Sequence, residues 1–198
     1  PESVRRQTVR GRRSWARDYL TAIIQRDVRE LSRIQRIDIL PRLLELAAGQ
    51  TARLVNVSEI AAPFGLSRNT IRDYLTLLGQ IFLVEELPAW HANRLKRLVK
   101  TPKLHVTDSG LACALLGVDA DDLRQDRTLL GQLLETFVVQ ELRRQVSGWD
   151  HDVRFSHYRD KDKYEVDVVM ERGPNRIVGI EVKAAATLRD SDRRGLER

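Results

Sequence analysis

The sequence predicts an α+β protein in two parts, a mostly helical N-terminal portion and a C-terminal portion with one helix followed by strands. Three observations carry that expectation. Apolar residues recur at helical spacing through much of residues 15–78, and two strand-like segments then flank a basic loop. After an Asp-rich break at 117–127 and one further helix, the apolar pattern changes to the alternation of strands.

The 198 residues are 42% apolar and 31% charged, a globular composition with enough apolar surface for a core, and the length favours two domains over one. The single cysteine, Cys113, lies in the apolar run 111–115 and is expected as a small core residue, which leaves no disulfide framework and no cysteine zinc site. No apolar stretch is long enough for a membrane span and no signal-peptide core is present, so a cytoplasmic protein is expected. The chain opens in charged helical sequence without Met, which reads as a piece of something longer. The net charge of +6 suits a polyanionic partner without requiring one.

Taken in order, residues 15–31 place Tyr19, Leu20, Ile23, Ile24, Val28 and Leu31 on one helical face. A second helix is expected after Asp38 as N-cap, with Leu40, Leu43, Leu44 and Ala47 inward and Gly49 as its stop. Residues 54–71 read as a short helix capped by Ser58, a turn at Gly65, and a longer helix capped by Ser67 that buries Ile71, Tyr74, Leu75 and Leu78. That is a helix-turn-helix layout, and Pro63 is expected to distort the end of its first helix. Strands at 81–87 and 103–107 follow, and three helices before such a hairpin resemble a winged helix. Beyond an Asp-rich loop at 118–122 come a helix at 129–146 and strands at 153–159, 164–170 and 176–183, the last two joined at Gly173, Pro174 and Asn175.

Alternation puts Asp167 on one strand face with Glu165 and Val169, and Glu181 with Lys183 on the partner strand. A turn at 173–175 is expected to set Asp167 opposite Gly179 and diagonal to Glu181, with the glycine leaving open space. Glu135 adds a third carboxylate, on a helical stripe shared with Val138, Val139 and Leu142. Two carboxylates about 4 Å apart repel by about 4 kcal/mol at an effective dielectric near 20, so such a cluster calls for a cation. Lys183 supplies one charge, and Mg²⁺ or Mn²⁺ suits an all-oxygen set. Asp167, Glu181, Lys183 and Glu135 are therefore the candidate catalytic residues of a phosphodiesterase, with Asp167, Glu181 and Glu135 as candidate metal ligands. The same alternation also describes the solvated face of a half-buried sheet.

Glu135, then Glu165-Val166-Asp167, then Ile180-Glu181-Val182-Lys183 is similar to the PD-(D/E)xK nuclease superfamily, with Val166 where its leading proline stands. Across nearly the whole chain, the ordered motifs Arg17-Asp18-Tyr19-Leu20, Gln25-Arg26-Asp27-Val28, Leu66-Ser67-Arg68-Asn69-Thr70-Ile71, Lys100-Thr101-Pro102-Lys103, Thr107-Asp108-Ser109-Gly110-Leu111 and Gly131-Gln132-Leu133-Leu134-Glu135 resemble the C-terminal domain of unknown function of prokaryotic AAA-family ATPases. The resemblance implies a linker helix over 1–35 after an ATPase domain, a winged-helix domain over 36–117, and a restriction-endonuclease-like α/β domain over 118–198. It implies that ATP binds only in that upstream domain, since the chain has no phosphate-binding G-x-x-x-x-G-K-[ST] loop.

DNA is the expected partner, besides the ATPase domain of the same protein. Arg68, Asn69 and Arg72 open the second helix of the helix-turn-helix and are candidate nucleic-acid contacts. Arg94, Lys96, Arg97, Lys100 and Lys103 form a basic segment suited to phosphates. Two other readings stay open: a binding module that keeps the nuclease-like fold without turnover, and an adaptor for protein partners. The sequence leaves oligomeric state open.

Overall fold

The structure, a computed structural model, describes residues 8–28, 36–93, 97, 100–162, 164–173, 176–185, 187 and 195–196. Within them the protein is α+β, with α1 (Val9–Ile23), α2 (Leu40–Gly49), β1 (Arg53–Leu54), α3 (Val57–Ala61), α4 (Arg68–Gln80), β2 (Val84–Leu87) and β3 (Lys103–Val106) in its first half. The second half contains α5 (Ser109–Leu116), α6 (Ala120–Gln125), α7 (Arg127–Val146), β4 (Arg154–Arg159), β5 (Glu165–Arg172) and β6 (Arg176–Ile180). No helix among these residues is long and apolar enough to cross a membrane.

Helical periodicity explains the first core. Ala16, Leu20, Ile24 and Val28 are buried along α1 and the π-helical turn that extends it, while Tyr19 stands 45% exposed and stacks on Trp15 at 5.0 Å. Spacing alone puts Tyr19 inward, but the residues that recur every fourth position from Ala16 to Val28 already fill that face. Leu31 lies outside the described residues. Leu40, Leu43, Leu44 and Ala47 of α2 are completely buried, joined by Ile71, Tyr74, Leu75 and Leu78 of α4. Cys113 lines this core only partly buried.

Several caps fall on other residues than the sequence suggests. A 3-10 turn at Ile37–Ile39 precedes α2, so Asp38 pairs with Arg36 and caps nothing. Asn56, not Ser58, caps α3 by accepting the Glu59 N–H at 3.3 Å. The 3-10 turn Ala62–Phe64 contains Pro63, consistent with a proline that cannot donate to the continuing helix. Ser67 caps α4, accepting the Thr70 N–H at 3.1 Å. The expected Asp-rich loop contains α6, because Asp119 and Asp122 form a reciprocal capping box that satisfies the first-turn N–H groups.

Among the described residues two antiparallel sheets form, ordered β1-β3-β2 and β4-β5-β6. β3 is the centre of the first, with all four of its residues buried. In the second, Val169 faces Gly179 and Val168 faces Ile180. Continuing that register sets Asp167 level with Glu181, not with Gly179, since the pairing is centred on residue 174 and joins positions equally far from it. A Cβ on Gly179 would come within 2.8 Å of Leu196 Cδ2, so the missing side chain makes room for that leucine. Gly173 holds φ +66° beside the connection, whose residues 174 and 175 lie outside the described set.

A second, smaller core gathers Val139, Phe155 and Val168, and Leu87 of β2 enters it from the first half of the chain. Trp90 N donates to the His157 carbonyl at 2.6 Å and His157 N donates to the Pro88 carbonyl at 2.9 Å, so the segment after β2 runs alongside β4. α7 spans both cores, with Leu133 in the first and Val139 in the second. This places Glu135, between Leu133 and Val139, at the seam between the sheets.

Candidate functional site

Asp167, in β5, lies where the halves of the chain meet. One of its oxygens accepts the Val182 N–H at 2.9 Å, and the other accepts from Lys103 Nζ at 3.1 Å. Lys103 Nζ also donates to Glu135 Oε1 at 2.8 Å and stands 2.9 Å from Glu165 Oε1. A single ammonium thus faces carboxylates from α7 and from two positions of β5, and its side chain is only 3% exposed. Glu135, Asp167 and Lys103 are all buried.

Why the sequence folds this way is local. β3 must bury Leu104 and Val106 and is flanked by β1 and β2, so Lys103 enters a buried strand whether or not it is charged. A buried ammonium is tolerated only with anionic partners. Alternation along β5 aims Glu165 and Asp167 to the same side, and α7 carries Glu135 there on a face also holding Thr136 and Val139. Burial pulls the Lys103 amine toward neutrality, but Glu135, Asp167 and Glu165 outweigh it and leave its pKa above the ordinary lysine value. Burial pushes the Glu135 carboxyl up to about 8 against the opposing pull of Lys103, with Asp167 and Glu165 adding to the rise.

Glu181 and Lys183 form the outer part of the cluster. Lys183 Nζ donates to Glu181 Oε1 at 2.5 Å, and the lysine side chain is 33% exposed. Burial raises the Glu181 carboxyl, opposed by the hydrogen bond from Lys183, and the charge of Asp167 raises it further. The structure therefore brings together all four residues expected to carry chemistry, and adds Glu165 and Lys103.

On the other side of Glu135 a buried hydrogen-bond chain ties the units. Thr51 Oγ1 and Thr136 Oγ1 are 2.8 Å apart, His105 Nδ1 is 3.0 Å from Thr136 Oγ1, and Val106 N donates to Thr51 Oγ1 at 3.2 Å. His105 is completely buried, and burial with the charges of Lys103, Arg143 and His157 lowers its pKa to about 3. His157, 1% exposed, is lowered to about 4 by burial and by Lys103. Neither is a general base poised near neutrality.

The basic segment predicts a phosphate contact for Lys103; the side chain is instead committed to three carboxylates beneath the surface. Arg97 likewise pairs with Glu171 at 2.5 Å, donates to the His91 carbonyl at 2.5 Å and lies over the Trp90 ring at 5.3 Å. Lys100 Nζ donates to the Arg159 carbonyl at 3.3 Å. These three basic residues are thus drawn inward by Glu171, Arg159 and the acidic cluster. Arg94 and Lys96 lie outside the described residues. Arg68, Asn69 and Arg72 stay on the surface at the start of α4, where with Asn56 and Ser58 they line an open cleft of about 380 Å³.

The all-oxygen character of Glu135, Glu165, Asp167 and Glu181 suits a hard divalent cation. In this arrangement, however, an ammonium stands among three of them and the fourth is bound to Lys183. Among the described residues no group of three or more His, Cys, Asp or Glu is arranged to hold a metal ion. The carboxylates as placed do not fit Mg²⁺ or Mn²⁺ without displacing Lys103.

The sequence signal for Glu165 is its two-residue spacing from Asp167. For Lys103 it is a lysine beginning a strand that continues Leu104-His105-Val106, a position that burial makes costly unless an anion waits there.

Residues 1–122 match the family described as domain of unknown function DUF8612, and residues 130–198 match domain of unknown function DUF4143. An uncharacterized protein of Mycobacterium bovis and one of Mycobacterium tuberculosis are each 29% identical over 175 residues, covering 88% of this chain. The chain spans 38% of the length of these curated relatives. No solved structure matches.

Proposed function

The chain belongs to the DUF8612 family, whose match covers more than half of it, and from that premise we propose that it is a nucleic-acid-binding region of an AAA-type ATPase. In this reading residues 36–117 are a winged helix that contacts DNA, and residues 118–198 are a restriction-endonuclease-like fold used without turnover. The ordered motifs of the AAA-associated family support the upstream ATPase.

The observation that carries the reading is the exposed start of α4. Arg68, Asn69 and Arg72 share its solvent side, opposite buried Ile71, Leu75 and Leu78, and border the cleft with Asn56 and Ser58. Two guanidinium forks and an amide at the start of such a helix are the groups that bind phosphates and read base edges in the major groove. The sheet order β1-β3-β2 behind three helices supports the winged-helix assignment. The inward commitment of Arg97, Lys100 and Lys103 leaves α4, among the described basic candidates, as the face best placed for DNA.

Fluorescence anisotropy with duplex DNA across a salt series tests this. The 198-residue chain is expected to bind with strong salt dependence, equally in EDTA and Mg²⁺. Arg68→Ala with Arg72→Ala should weaken binding and lower the salt slope by roughly one for each phosphate no longer neutralised. Unaltered binding by that double variant would sink the proposal.

A second reading, divalent-metal-dependent phosphodiester hydrolysis, is favoured by the convergence of Glu135, Asp167, Glu181 and Lys183 at the end of the β5–β6 pair. It requires cleavage of DNA in Mn²⁺ or Mg²⁺ that Asp167→Asn abolishes. An absence of both binding and cleavage would move the weight to a protein partner.

A further inference from the structure

A cation already resides in the acidic cluster. Lys103 Nζ has three carboxylate oxygens around it at 2.8, 2.9 and 3.1 Å, those of Glu135, Glu165 and Asp167. The ammonium donates hydrogen bonds to Glu135 and Asp167 and stands at ion-pair distance from Glu165. Nitrogen-to-oxygen distances of this size exceed the roughly 2.1 Å at which oxygen ligands hold Mg²⁺, so the cluster is dimensioned for an ammonium.

The lysine and its acids come from different halves of the chain. Lys103 begins β3, which pairs with β1 and β2, whereas Glu135 belongs to α7 and Glu165 and Asp167 to β5. Three acidic side chains face one ammonium, and withdrawing it would leave an oxygen-only cage. That is the chemistry that takes a hard divalent cation.

We propose that Lys103 is a resident cation that fills, from the N-terminal half of the chain, the place of a divalent ion among Glu135, Glu165 and Asp167. The β2–β3 pair thereby keeps the acidic site closed, and a site for Mg²⁺ or Mn²⁺ opens only when Lys103 leaves. The side chain's 3% exposure and its three-sided contact mean that departure requires β3 to move off β5 and α7. This goes beyond nucleic-acid binding and does not depend on it, since Arg68 and Arg72 take no part.

The test is Mn²⁺ titration of the 198-residue chain, followed by electron paramagnetic resonance, in the wild type, Lys103→Met and Lys103→Met with Asp167→Asn. Wild type is expected to leave millimolar Mn²⁺ unbound, Lys103→Met to capture one ion per chain, and the double variant to lose it. Stoichiometric binding by the wild type, or none by a folded Lys103→Met, overturns the proposal. Should Lys103→Met not fold alone, refolding in Mn²⁺ decides: recovery of the native circular dichroism supports the cage, and continued unfolding in saturating Mn²⁺ counts against it. Weakened DNA affinity in the α4 arginine variants would leave every one of these outcomes unchanged.

Discussion

Lys103 and Asp167, 64 positions apart, meet at 3.1 Å in the interior, and that pair joins the first sheet of the protein to the second. Glu135 and Glu165 complete the cluster, which both links the two sheets and holds the candidate chemistry.

Removal of the lysine charge is expected to destabilise the fold strongly. Lys103→Ala leaves buried carboxylates facing one another, and loss of one partner of a buried ion pair typically costs about 3–5 kcal/mol. Urea denaturation of wild type and variant at neutral pH measures it. A change below about 1 kcal/mol would place the cluster on the solvent-screened side of the scale.

Stability should peak slightly below neutral pH. Glu135 has a folded pKa near 8 against an ordinary 4.5, so its folded form holds a proton that the unfolded chain releases, and stability falls as pH rises from about 4.5 to 8. His105 and His157 are lowered to about 3 and about 4 from 6.5, so the unfolded chain takes up their protons first and stability is lost as pH falls below 6.5. Each proton contributes a slope on the order of 1 kcal/mol per pH unit. Melting temperatures from mildly acidic to mildly alkaline pH should show the maximum, and Glu135→Gln should flatten the alkaline side.

Arg97→Ala is expected to lower stability while leaving DNA affinity unchanged. Its guanidinium is held by Glu171, whose side chain is only 4% exposed, and by the Trp90 ring. The variant takes from a buried carboxylate its guanidinium, a loss of about 3 kcal/mol by the same reasoning as for Lys103. Parallel denaturation and anisotropy separate this from a phosphate-binding role, which would show the opposite pattern.

Thr136→Val removes the hydroxyl shared by Thr51 and His105. Both buried groups then lose a partner, and about 1–3 kcal/mol of stability should go with it. Thr51→Val in the same background should cost much less than it does in the wild type, since a double-mutant cycle reads the shared bond directly.

Local pattern makes much of this protein legible. The buried faces of α2 and α4 follow from helical spacing, Ser67 caps the helix it is expected to cap, and Asp167 sits on the same strand face as Glu165. The Asp-rich segment misleads because acidic residues read as loop by composition, whereas at a helix start the same carboxylates accept the first-turn N–H groups. The register of β5 against β6 differs from expectation by two residues of the partner strand, although the pairing is centred on residue 174, the middle of the expected turn: positions equally far from 174 pair, which sets Asp167 level with Glu181. The difference is an even one, so Glu181 keeps its expected face and comes closer to Asp167 than predicted.

The sequence by itself determined the strongly periodic helices and strands, the buried faces of α2 and α4, and that carboxylates lie on one side of β5, whereas β1, α5 and α6 came only with the structure. Only the tertiary structure decided what neutralises those carboxylates. A basic residue after a basic loop reads as surface, and the one local sign that sets Lys103 apart from Arg68 is the strand it begins. The difference arises because β3 is the central strand of its sheet and packs against α7 and β5, where an ammonium persists only if enough negative charge converges on it from residues 32 and 64 positions away. That convergence is a property of the packed sheets, and it turns an expected DNA contact into the internal partner of the acidic site.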